Sequence, residues 1–123
     1  MNKKSLLNST NVIYKFTCPN DDCMHRNTNY IGSTTTTLSR RLTMHLSNGA
    51  IKDHQLARHS SVLTRSNVVA NTTIIRKHND SVRLLIHEAL LIKFKDPNLN
   101  RQDTGNAKIL QLYSENIPLL NSS

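Results

Sequence analysis

The chain has 123 residues, of which 37% are apolar and only 4% aromatic, and it carries a formal net charge of +8. That length suits one domain with a modest core built mainly from Leu, Ile and Val. No apolar run is long enough to cross a bilayer and nothing reads as a signal peptide. The basic residues are spread from Lys3 to Lys108 instead of gathering in a tail. A polyanion fits that distribution, because Lys and Arg displace condensed counterions from phosphates. A charge that only aids solubility fits it equally.

Met1 to Thr10 is polar without periodicity and reads as a flexible N-terminal tail; a single domain follows over 11–123. Asn11 to Thr17 alternates, with Val12, Tyr14 and Phe16 on one face and Ile13, Lys15 and Thr17 on the other, which is a strand pattern. Cys18 to Thr28 is a polar loop rich in turn formers, and Asn29 to Ser33 reads as a second strand, so the two make a hairpin with a long loop. Gly32 ends that strand, where it permits either a close approach or a simple turn. One of Thr34 to Thr37 can cap a helix running from about Leu38 to Leu46, with Leu38, Leu42 and Leu46 on one face and Arg41 and His45 stacked beside it. Ser47-Asn48-Gly49 closes that helix. Ala50 to His59 is a short helical piece, Ser60 to Asn71 is weakly patterned, and Thr72 to Ile75, with a start as early as Val68, reads as a third strand. Asn79 or Asp80 caps the longest helix, which runs to about Lys95 and stops before Pro97. Asn98 to Gly105 is a polar loop, and Ala107 to Leu120 has the weak pattern of a closing helix. The expected class is α+β (α/β in the broad sense): a small three-stranded antiparallel sheet flanked by helices.

Glu88 carries the strongest chemical signal. Its neighbours three and four places away are Leu84, Leu85, Leu91 and Ile92, all apolar, so the carboxylate lies in the core-facing stripe without a local basic partner. An unpaired buried carboxylate is costly, and either a divalent cation or a distant arginine would compensate it. By residue type alone, Tyr14 and Tyr30 fit ordinary strand packing better than chemistry. Cys18-x4-Cys23 and His54-x4-His59 have spacings allowed for tetrahedral zinc, with His25 and His78 as alternative ligands and His87 a surface residue. Five places apart on an ideal helix, His54 and His59 would not share a face, so they need a helix end or a tight turn.

Taken together, Val12-Ile13-Tyr14, Tyr30-Ile31-Gly32, the helix with Arg41 and His45, Glu88 on the long helix and Asn100 after Pro97 resemble the GIY-YIG nuclease family. The cysteine pair between the tyrosines and the two later histidines make the chain most similar to the endonuclease domain of Penelope-like retroelements, over about Val12 to Asn100. Val12 stands in place of the first motif glycine, and the stretch between Tyr14 and Tyr30 is lengthened by the cysteine loop. The motif arginine usually lies one place nearer the glycine, which would select Arg40; the helix faces favour Arg41. The resemblance implies a metal-dependent DNA endonuclease in which Glu88 holds one Mg²⁺ or Mn²⁺ and Tyr14 is the general base. Tyr30 positions the water, His45 orients Tyr14 or passes its proton, and Arg41 holds the scissile phosphate. Asn100 would hydrogen-bond near Tyr14 or the phosphate. Cys18, Cys23, His54 and His59 would hold a structural Zn²⁺ that staples the loop, with four protein ligands leaving no open position. By the same resemblance the products carry a 3′-hydroxyl and a 5′-phosphate. The protein would be nuclear and would act with, or fused to, a reverse transcriptase and element RNA, the free 3′-hydroxyl priming synthesis. Two other readings stay open: a non-catalytic zinc-containing nucleic-acid-binding module, and a nuclease of the same kind in repair or restriction.

Overall fold

The computed structural model describes residues 3–20, 23 and 28–102. Its strands are β1 (Val12–Thr17), β2 (Asn29–Thr34) and β3 (Thr72–Lys77), ordered β2-β1-β3 and antiparallel throughout. The helices are α1 (Lys3–Leu7), α2 (Leu38–Ser47), α3 (Ala50–His59), α4 (Arg65–Ala70) and α5 (Ser81–Lys95), followed by a 3-10 turn over Asn98–Gln102. The fold is therefore α+β, a three-stranded antiparallel sheet with helices on both faces. Among the described residues, no helix is long and apolar enough to cross a membrane.

The alternation of β1 decides the layering. Val12, Tyr14 and Phe16 point into a core shared with Leu38 and Leu42 of α2, Ile51 of α3 and Val68 of α4. Ile13 points the other way and joins Ile31 of β2 with Leu84 and Ile92 of α5. As the central strand, β1 is buried on both faces, which is why its apolar residues are nearly continuous. A register shift between Ile13 and Tyr14 marks an irregularity in the β1–β3 pairing.

The helix boundaries follow from their caps. Thr37 accepts a hydrogen bond from the Arg40 amide at α2, Thr64 does the same for Asn67 at α4, and Asp80 does so for Val82 at α5. Asp96, left-handed at φ 46°, ends α5 directly before Pro97. Gly49, with φ 111°, separates α2 from α3 at a backbone angle that a side chain would strain.

Four expectations are corrected. Residues 3–7 of the expected tail form α1, and Leu6 and Leu7 pack against the core while the Leu38 amide donates to the Ser9 carbonyl; two adjacent leucines suffice to seat a helix too short to show a period. Val68 belongs to α4, not to the third strand, because the Thr64 cap starts a short helix whose one fully buried contact is Val68. β3 continues past Ile75 to Lys77 because β1 supplies ladder partners as far as Val12. Part of the expected loop after Pro97 is a 3-10 turn that buries Leu99 and Asn100. The expected helix over 107–120 lies outside the described residues.

Candidate active site and metal centre

Strand register builds the first site. Tyr14 lies opposite Gly32 and Phe16 opposite Tyr30, so the two tyrosines are diagonal neighbours on one face of the hairpin. Their ring centroids are 6.5 Å apart. The glycine is a spatial requirement: a Cβ on Gly32 would sit 2.5 Å from the Tyr14 hydroxyl and 2.9 Å from a Tyr30 ring carbon. The missing side chain is the room that the two phenols occupy.

Helix α2 supplies the partners. His45 is buried, and its Nε2 lies 2.6 Å from the Tyr14 hydroxyl. Arg41 Nε donates to the same hydroxyl at 3.3 Å. The Arg40 side chain is exposed, so of the two adjacent arginines it is Arg41 that reaches the tyrosines. Both rings pack edge-on to His45, at centroid distances of 5.8 Å from Tyr14 and 5.1 Å from Tyr30.

Electrostatics then fixes the protonation state. Burial pushes the Tyr14 phenol well above its ordinary value, and the charges of Tyr30 and Glu88 push the same way against the lowering effect of Arg41. Tyr14 therefore rests as a neutral phenol. Burial draws the Arg41 guanidinium down, but the two tyrosine oxygens more than offset it and leave it above its usual value, so it stays charged.

Glu88 comes from α5, which packs chiefly across β2. Glu88 as a residue is 8% exposed and its charge acts on Tyr14, so it is neither on open surface nor remote from that phenol. Leu84 and Ile92 are buried beside it, whereas Leu85 and Leu91 are half-buried, and Ile86 and Ala89 complete the inward face.

Asn100 takes a different place from the one expected. Its Oδ1 accepts from the Ile31 amide at 2.7 Å and its Nδ2 donates to the Ile31 carbonyl at 2.8 Å. β2 is an edge strand, and Ile31 turns both backbone groups away from β1. The carboxamide completes them as a further strand would. With both ends engaged, Asn100 holds the residue between Tyr30 and Gly32, and the expected bond near Tyr14 or to a phosphate is corrected accordingly.

The second site joins the hairpin loop to α3. Cys18, Cys23, His54 and His59 offer ligand atoms that all lie within 4.8 Å of one another. Cys18 Sγ is 3.3 Å from His59 Nε2, Cys23 Sγ is 3.5 Å from His59 Nε2 and 3.7 Å from His54 Nε2, and the two Nε2 atoms are 3.2 Å apart. Tetrahedral zinc with Zn–S of about 2.3 Å and Zn–N of about 2.05 Å requires S–N edges of about 3.5 Å and N–N edges of about 3.3 Å. The four side chains form a Cys2His2 cluster that could hold zinc. His54 and His59 converge because His59 is the last residue of α3, just before the left-handed Ser60. Asn20 donates to Cys18 Sγ at 3.3 Å, an outer contact that the cysteine spacing did not signal.

His78 and His87 stand apart from the cluster. His78 Nε2 is 2.8 Å from His87 Nδ1. His78 is thus no alternative ligand, and His87 is half-buried against it instead of lying free on the surface. Burial, then the charges of Arg76 and His78, hold the His87 imidazole below its usual range. His25 lies outside the described residues.

No family model, curated protein or solved structure matches the chain.

Proposed function

We propose that the chain is a metal-dependent DNA endonuclease of the GIY-YIG kind, similar to the nucleases of Penelope-like retroelements, that nicks target DNA to leave a 3′-hydroxyl primer. The observation that carries this reading is the buried Tyr14 hydroxyl, held at once by His45 Nε2 at 2.6 Å and Arg41 Nε at 3.3 Å. A phenol whose ionisation burial opposes, with an imidazole nitrogen within hydrogen-bond reach on one side and a guanidinium on the other, is arranged to pass a proton and not to store a charge. Ordinary packing needs no such pair of polar partners.

In the reaction, water attacks the phosphorus and the bond to O3′ breaks. As the water loses its proton to the Tyr14 oxygen, the Tyr14 proton moves to His45 Nε2, so no free phenolate forms. Tyr30 borders the same space and fixes the approach of the water. Arg41 is half-buried beside Tyr14 and offsets charge gathering on the phosphoryl oxygens. The departing O3′ takes a proton from solvent. Glu88 suits a divalent ion, since a single carboxylate with waters and substrate oxygens is an ordinary Mg²⁺ donor set. Bound there, Mg²⁺ or Mn²⁺ would act as a Lewis acid on a phosphoryl oxygen. The Cys2His2 cluster suits Zn²⁺ in a structural role, tying the hairpin loop to α3. Action alongside a reverse transcriptase, element RNA and a nuclear target belongs to the same proposal.

The test is nicking of supercoiled DNA with Mg²⁺ or Mn²⁺ by the wild type and by Glu88→Ala. The variant is expected to lose on the order of 10²-fold or more in rate. Equal cleavage by the two proteins would remove the mechanism, and DNA binding without cleavage by the wild type would favour the non-catalytic zinc module.

A further inference from the structure

Arg65, the first residue of α4, is exposed yet held in place. Its Nη1 donates to Thr43 Oγ1 at 2.8 Å and its Nη2 to Ser39 Oγ at 2.6 Å. The two acceptors lie on successive turns of α2, and the Thr43 hydroxyl is itself fixed by donating to the Ser39 carbonyl at 3.1 Å. Both partners are neutral, so the guanidinium keeps its full charge while losing its freedom. Surface arginines are ordinarily mobile or paired with a carboxylate; an ordered one on hydroxyls alone is pre-organised for an anion.

The surroundings have the same sign. Neither α2 nor α4 contains an acidic residue. Around α2, at 100° per residue, Ser39 and Thr43 lie on the side that faces α4, Arg40 lies on the outer face, and Arg41 turns toward Tyr14. Arg65 on the Ser39/Thr43 side, then Arg40, then Arg41 thus follow one another as a line of positions around the outside of α2, and the last of them reaches the Tyr14 hydroxyl.

We propose that this line is the track of a DNA backbone, with Arg65 gripping a phosphate several nucleotides from the one held at Arg41. The inference rests on the nuclease reading, since Arg41 marks where the reacting phosphate lies. Arg65 is a positioning residue that binds sugar-phosphate backbone without base preference.

Fluorescence binding of a short DNA duplex, with no divalent cation added so that no cleavage occurs, provides the test across 50–200 mM salt. Wild type is compared with Arg65→Gln, Arg65→Lys and the pair Ser39→Ala with Thr43→Val, each checked by thermal unfolding. Arg65→Gln is expected to lower affinity and to flatten the slope of log K against log salt by about 0.9, the value for one lost phosphate contact. The ratio of wild-type to variant affinity then narrows about 3.5-fold across that salt range. Arg65→Lys and the hydroxyl pair should keep the wild-type slope but bind more weakly, because charge remains and order is lost. Wild-type affinity and slope in a folded Arg65→Gln would overturn the track. Failure of the wild type itself to bind DNA would overturn the nuclease reading and the track with it.

Discussion

Replacing Gly32 with alanine isolates the geometry of the tyrosine site. The backbone at Gly32 is not in the left-handed region, where only Gly49 is found among the described glycines, so alanine adds atoms without torsional strain. The added Cβ would lie 2.5 Å from the Tyr14 hydroxyl, 2.7 Å from its Cζ and 2.9 Å from Tyr30 Cε1. Ordinary contact begins near 3.4 Å, so the Tyr14 ring must retreat by about 0.9 Å from the 2.5 Å position. Tyr14 is fully buried and its hydroxyl is already 2.6 Å from His45, so the ring cannot retreat without disturbing that bond. Overpacking costs about 1–3 kcal/mol, and a weakened hydrogen bond adds about 1 kcal/mol. Reduced entropy of the unfolded chain returns about 0.4–1 kcal/mol. A net loss of about 2 kcal/mol should lower the melting temperature by roughly 8–16 °C for a domain near 100 residues. Misplacement of the phenol on the order of 1 Å should slow nicking by about 10²-fold. Thermal unfolding and the plasmid assay read the two effects, with zinc content expected to be unchanged. A variant that melts within 2 °C of the wild type and nicks at the same rate would show that the phenols do not depend on this slot.

Other perturbations separate the parts of the site. Purified protein should contain one zinc per chain, and Cys18→Ser should lose it and unfold at a lower temperature; a wild type without zinc and with both thiols freely titratable would count against the staple. The folded-state pKa of Tyr14 lies above its unfolded value near 10, mainly through burial. Its contribution to stability is therefore complete below about pH 10 and is lost as pH rises beyond it, because only the unfolded chain releases the proton there. Melting temperatures from pH 9 to 11.5 should fall less steeply for Tyr14→Phe, and parallel curves would refute the assignment. Asn100→Ala strands the Ile31 amide and carbonyl at the sheet edge, at a cost of about 2–3 kcal/mol. Faster amide exchange at Ile31 is the signature to measure, and protection equal to wild type would mean that another group closes the edge.

How far the sequence discloses this arrangement depends on separation along the chain. The alternation of β1 assigns Val12, Tyr14 and Phe16 to one core and Ile13 to the other, as observed, because the period of a strand is local. Thr37, Asp80 and Pro97 disclose helix ends for the same reason. Glu88 stands out as a carboxylate among leucines, and the structure buries it. What periodicity cannot disclose is pairing between distant residues. Nothing local indicates that Asn100 closes the backbone of Ile31, 69 positions earlier. Nor does spacing alone indicate that His78 leaves the cysteine cluster to pair with His87. Short helices escape too, since α1 and α4 have 5 and 6 residues, too few for an apolar stripe to repeat.

The protonation of Tyr14 belongs to this second kind. The resemblance implies a base at Tyr14, and such a base needs either a phenolate favoured by a nearby cation or a proton that leaves by a relay. Folding places the hydroxyl where burial outweighs Arg41, so the phenolate is the disfavoured form. His45 Nε2 lies 2.6 Å from that hydroxyl, and the proposed reaction would send the proton along that bond in step with its replacement from water. Desolvation thus argues against Tyr14 as a charged base and for it as the middle of a relay. The proposed relay would need the imidazole 31 residues away as much as the phenol.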